Sequence, residues 1–102
     1  MQIQGAVMGF AELRAALEDS ASELIAHAYG MSHAERSFHL QRVGLLAGRV
    51  LSAADGLPDA GAVAASVDAL LHRVQSHVGA IEQCERILRT APGWLTPSRR
   101  LP

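Results

Sequence analysis

The stretch "VAASVDALLHRVQSHVGAIEQCERIL", Val63 to Leu88, decides the fold. Within it Val63, Val67, Leu70, Val74, His77, Ile81, Cys84 and Leu88 recur at spacings of 4-3-4-3-4-3-4. That is the heptad seam of antiparallel hairpins and coiled coils, in which one helix edge stays against a partner over many turns. Leu71, Val78 and Ile87 lie beside the seam and widen it, as on a helix that touches more than one neighbour. The helix reads from about Asp59 to Thr90 and ends at "APG", Ala91 to Gly93.

Working outward, the turn "DGLPD", Asp55 to Asp59, precedes that helix, and a second helix stands before the turn. Its start is marked by Ser32-His33-Ala34-Glu35, the S-x-x-E capping box in which serine and glutamate each satisfy a free backbone N–H. It continues through Leu40, Val43, Leu46 and Val50. A first helix runs from about Phe10 to Tyr29 on a stripe of Phe10, Leu13, Leu17, Ala21, Leu24 and Ala28, with Gly30 placed to cap it. No strand-like alternation of useful length occurs, so the predicted class is all-α. The domain spans residues 1–91, with helices at about 10–29, 33–54 and 59–90, and residues 92–102 form an irregular proline-rich tail.

Length then bears on assembly. At 1.5 Å per residue the third helix is about 48 Å long and the second about 31 Å. Folded back at 55–58, the second helix covers the third only to around residue 80. The favoured plan is a long antiparallel hairpin with a break near Gly30, the first helix carrying on in line with the second. Two such hairpins would pair into a four-helix bundle. The alternative is a three-helix bundle in which another chain covers the exposed end. Either plan predicts a partner, the protein itself as a homodimer or another helical protein. The predicted interface is Val63, Val67, Leu70, Val74, His77, Ile81 and Leu88, joined by Gly44, Gly48 and Trp94. Gly44, Gly48 and Ser52 fall at i, i+4 and i+8 on one side of the second helix, where they admit close approach of another backbone. Trp94, the only tryptophan, stands in "APGWLTPSRRLP", either folded back over the bundle end or offered to a partner with Arg99 and Arg100.

Composition excludes several classes. A net charge of −1 leaves no electrostatic footprint for nucleic acid or an acidic membrane, although residues 1–30 carry four acids against Arg14 alone. All nine basic residues are arginine, a bias that a GC-rich genome explains. A single cysteine, Cys84, precludes an internal disulfide. With no leader pattern and no apolar run of about 18 residues, the expected location is cytoplasmic, or exported without a cleavable signal peptide as the alternative. No small-molecule substrate or cofactor is evident, and the chain is expected not to be an enzyme.

Five histidines, three of them between Ala26 and Arg42, invite a search for a metal site. His33 and His39 lie about 240° apart on a helix, and neither H-E-x-x-H nor C-x-x-C occurs. The best candidate is built across the hairpin: Glu35 and His39 at i and i+4, with His77 brought level by the turn. The commoner outcome is semi-buried histidines paired with carboxylates or water. Cys84, in the apolar seam, reads as a small hydrophobe.

Two resemblances to known families bear on function. "LLHRVQSHVGAIEQCERIL" faintly resembles a histidine-phosphotransfer helix, which implies His72 as phosphoacceptor; Gln75 and Ser76 stand where that pattern has lysine and glycine. Over residues 10–90 the plan of about 100 alanine-rich residues in two long antiparallel helices is similar to the Trp-x-Gly class of actinobacterial type VII secretion substrates. That resemblance implies dimerisation into a four-helix bundle and export in the folded state. The turn here reads Asp-Gly-Leu-Pro-Asp in place of Trp-x-Gly. The functional expectation is a non-enzymatic interaction module, acting as a dimer or a small subunit. A metal-binding or phosphoaccepting bundle and an antitoxin-like antagonist are the alternatives.

Overall fold

The computed structural model describes residues 9–90. They form α1 (Phe10–His27), a 3-10 turn (Ala28–Gly30), α2 (His33–Ala54) and α3 (Ala60–Thr90), with no strand among the described residues. The ends follow from local chemistry. Glu12 accepts a 2.9 Å hydrogen bond from the backbone N–H of Gly9 at the start of α1. At the start of α2 both halves of the capping box are present: Glu35 N–H donates to Ser32 Oγ at 3.1 Å, and Ser32 N–H donates to Glu35 Oε1 at 2.8 Å. Between α2 and α3 the chain turns through Gly56 at φ +89°, a left-handed conformation that glycine adopts without a Cβ penalty. Gly30 was expected as a cap of the same kind, but its φ is not positive; α1 instead tightens into the 3-10 turn and Met31 leaves it extended.

α2 and α3 form a helical hairpin, and the break near Gly30 is real. The path of the chain beyond that break differs from the favoured expectation. α1 does not continue α2 in line but reverses and lies antiparallel along it, also touching α3. A short groove lined by Asp19, Ser20 and Glu23 of α1 with His39 and Arg42 of α2 runs along their shared edge. The alternative arrangement, α1 folded back on the hairpin, is therefore the one adopted. Three residues of 3-10 turn and then extended Met31 and Ser32 suffice to reverse the chain, and the capped start of α2 fixes its new direction.

The fold-back changes which residues the chain covers for itself. The core is Leu13, Leu17, Ala21, Leu24 and Ala28 from α1, Val43, Ala47, Val50 and Ala54 from α2, and Val63, Val67, Val74, Val78 and Ile81 from α3. Its alanines let helix axes approach closely, and among the described residues the one aromatic packed against it, Phe10, sits at the margin. Of the residues expected to face a partner, Val63, Val67, Val74 and Ile81 are thus buried by α1 and α2, and Leu70 is half-buried against the same core. At those positions the edge is covered within the chain itself.

The heptad reading also drifts. His77 and Cys84, expected in the seam, are exposed, while Val78 is buried and Glu85 half-buried. An α-helix has 3.6 residues per turn, so a strict 3.5 repeat walks around it by about 20° per heptad unless the helix supercoils. In α3 the buried line keeps to the seam at 63, 67 and 74, takes in Val78 rather than His77, and beyond Ile81 leaves the seam positions exposed. Past Glu85, α3 outruns its neighbours. Arg86–Thr90 are all exposed, with Ile87 at 52% and Leu88 at 63%.

Candidate functional site

Two features stand out once the core is assigned: an outward face on α2 and a buried arginine. The outward face lies opposite the stripe Val43, Ala47, Val50, Ala54. It consists of Ala34, Phe38, Gln41, Leu45, Gly48 and Ser52, all exposed and none charged. Phe38 is 59% and Leu45 65% exposed, one helical heptad apart on one ridge. The Phe38 ring meets His39 edge-on at 5.3 Å between centroids. On one flank stand Glu35, Arg42 and Arg49; on the other Ser37, Gly44 and Leu51. Arg42, Arg49 and Asp19 across the groove make no ion pair among the described residues.

Gly48 on this face and Gly44 at its edge are the glycines expected to admit a backbone. A Cβ built on either meets nothing within 4 Å among the described residues. An interior helix glycine costs about 1 kcal/mol relative to alanine, and no close approach among the described residues accounts for that cost.

The buried arginine is Arg36, only 1% exposed at the first turn of α2. Its Nε donates to Ala28 O at 2.9 Å, and one Nη donates to Met31 O at 2.6 Å and to Glu85. The other Nη donates to Glu85 Oε1 at 2.9 Å and Glu82 Oε2 at 3.3 Å. All five N–H groups of the guanidinium thus have acceptors. His33 Nδ1 lies 2.7 Å from Glu82 Oε2. Arg36 ties together the carbonyls of Ala28 and Met31 at the reversal and the carboxylates of α3. Its hydrogen bond to Glu85 raises the guanidinium pKa, so the group stays charged. The same hydrogen bond, reinforced by the charges of Arg36, Arg89 and His33, holds the Glu85 carboxyl below its ordinary value against the opposing effect of desolvation. Glu35 is lowered too, chiefly by the hydrogen bonds it shares with Ser32. This is a structural clamp.

Sequence reasoning missed Arg36, although a signal was there. It begins the line Arg36, Leu40, Val43, Ala47, Val50, Ala54 and so stands where an apolar residue was due. A charged residue in phase with a buried stripe must find carboxylates or carbonyls.

The expected metal set is not assembled. Glu35 is spent on the cap of α2, His39 faces Asp19, Ser20 and Glu23 of α1, and His77 is exposed on α3. The hairpin pairs Arg36 with Glu82 and Glu85, so α2 meets α3 about a turn further along than the expected register, and α1 intervenes beside His39. No group of three or more His, Cys, Asp or Glu among the described residues is placed to hold a metal ion. His72 is exposed on the outer side of α3, and Cys84 is exposed rather than packed in a seam. Trp94, Arg99 and Arg100 lie outside the described residues. No helix among those described is long and apolar enough to cross a membrane. No protein-family model, curated protein or solved structure matches the chain.

Proposed function

We propose that this chain is a non-enzymatic protein–protein interaction module, working as a dimer or as the small subunit of a complex. The observation that carries the reading is the uncharged outer face of α2, with Phe38 and Leu45 well exposed on it. Fully burying such a side chain contributes about 1.5–3 kcal/mol relative to leaving it in water. A solvated face of that length ordinarily carries charges, as α1 does with Glu12, Glu18, Asp19 and Glu23. The exposed end of α3 at Ile87 and Leu88 adds a second, smaller apolar area. Regulation of another protein by masking it, and the folded-state export implied by the likeness to Trp-x-Gly substrates, are roles that such a module serves.

Two measurements together test the reading: light scattering on purified protein, and co-purification from the native host with identification of chains bound in fixed stoichiometry. Self-association, or one identified stoichiometric companion, supports it. A protein that stays monomeric at micromolar concentration and brings down no such companion overturns it.

A further inference from the structure

We infer that the outer face of α2 is the seat of a second copy of this chain, packed antiparallel across a two-fold axis near residue 43. This rests on the interaction-module reading and names its surface and occupant.

The face is complementary to itself in one register. Set antiparallel with Phe38 over Gly48 of the second copy, α2 also brings Leu45 over Gln41 and Ala34 over Ser52. Each large side chain then meets a small or flexible one, and by symmetry every pairing occurs twice. Gly44 falls beside the axis, where it faces its own copy. Nothing within the described residues approaches its Cβ position or that of Gly48, so the room they leave is open to an incoming helix. The glycines are thereby given the close backbone approach that the described residues do not supply.

The flanking charges favour the same arrangement. In a two-fold antiparallel pair, each helix edge meets the identical edge of its copy. Glu35 and Arg49 share one edge, 14 residues or about 21 Å apart. In this register, Glu35 comes within about two residues' rise of Arg49 of the second copy, and Arg49 of Glu35, giving two opposite-charge meetings. Along the α2 edges themselves the one like-charge meeting is Arg42 with its counterpart. It falls beside the groove holding Asp19 and Glu23, and the symmetric pair brings both copies' acidic α1 edges to that place. A parallel pair would bring Phe38 onto Phe38 and separate Glu35 from Arg49.

Analytical ultracentrifugation of the full chain, with Phe38→Glu and Leu45→Glu as variants, tests the inference, helicity being checked by circular dichroism. Both positions are exposed, so the fold tolerates the change. Wild type is expected to dimerise, each variant to weaken the dimer roughly tenfold or more by burying an unpaired charge, and helicity to stay the same. On a Cys84→Ser background, a short thiol-to-thiol cross-linker is expected to join chains carrying Gln41→Cys and not those carrying Ser76→Cys on the outer side of α3. A dimer that survives both glutamates, or cross-links through position 76 alone, overturns the inference while leaving the interaction-module reading in place. A wild-type monomer at every concentration also overturns it, and co-purification then decides that reading separately.

Discussion

Replacing Gly44 and Gly48 together by alanine separates what the helix wants from what the face is for. Both residues lie inside α2, both are exposed, and an added Cβ meets nothing within 4 Å among the described residues. The steric cost is therefore nil, and the gain is the restricted freedom of alanine in the unfolded chain and its better helix propensity. At about 1 kcal/mol per site, the pair stabilises the isolated fold by about 2 kcal/mol. For a domain of this size, each kcal/mol moves the melting temperature by about 4–8 °C, so the expected rise is about 8–16 °C. Thermal and urea unfolding monitored by circular dichroism, at concentrations below self-association, measures it. Gly79→Ala on the outer side of α3, where a Cβ also meets open space, is the matched control at about half the gain. The α2 pair is expected to weaken dimerisation while raising monomer stability, whereas the control raises stability alone. No rise in stability would refute the open-space geometry. A rise with an unchanged dimer would refute close approach at the glycines.

Three further outcomes concern the core and the clamp. Leu17→Ala removes a side chain 1% exposed in the centre of α1 and is expected to cost about 2–5 kcal/mol in urea unfolding. Arg36→Lys keeps the charge but loses the planar fork that reaches Ala28 O, Met31 O and Glu85 at once, so amide hydrogen exchange should quicken across residues 28–36 while the middle of α3 stays protected. The Glu85 carboxyl titrates below its ordinary value of 4.5 because Arg36 donates to it. A depressed folded value means the unfolded chain takes up the proton first. The stabilisation is whole above pH 4.5 and lost as pH falls through the folded value, so melting temperature should fall on acidification below 4.5 by more in wild type than in Glu85→Gln.

Much of the local structure was legible in the sequence, residue by residue. The α1 stripe from Leu13 to Ala28 is buried as its spacing foretold, because a helix buries one face wherever that face points. Ser32 and Glu35 form their capping box, and the turn at Asp55–Asp59 reverses the chain at Gly56, since both depend on bonds within a few residues. The uncharged outer face of α2 was visible only in part, through Gly44 and Gly48. Spacing alone does not single out Phe38 and Leu45, because it does not say which of two apolar ridges will be left outside.

What the tertiary structure alone decided is where α1 goes. A short link after His27 permits either a helix continued in line or one folded back, and the difference is settled by how much apolar surface each arrangement shelters. Folded back, α1 joins α2 in covering the edge from Val63 to Ile81, turns Arg36 into a clamp between three elements, and leaves the uncovered surface on α2 and the end of α3. Local periodicity fixes which face of each helix is greasy; only packing in three dimensions fixes which greasy face finds a neighbour in its own chain.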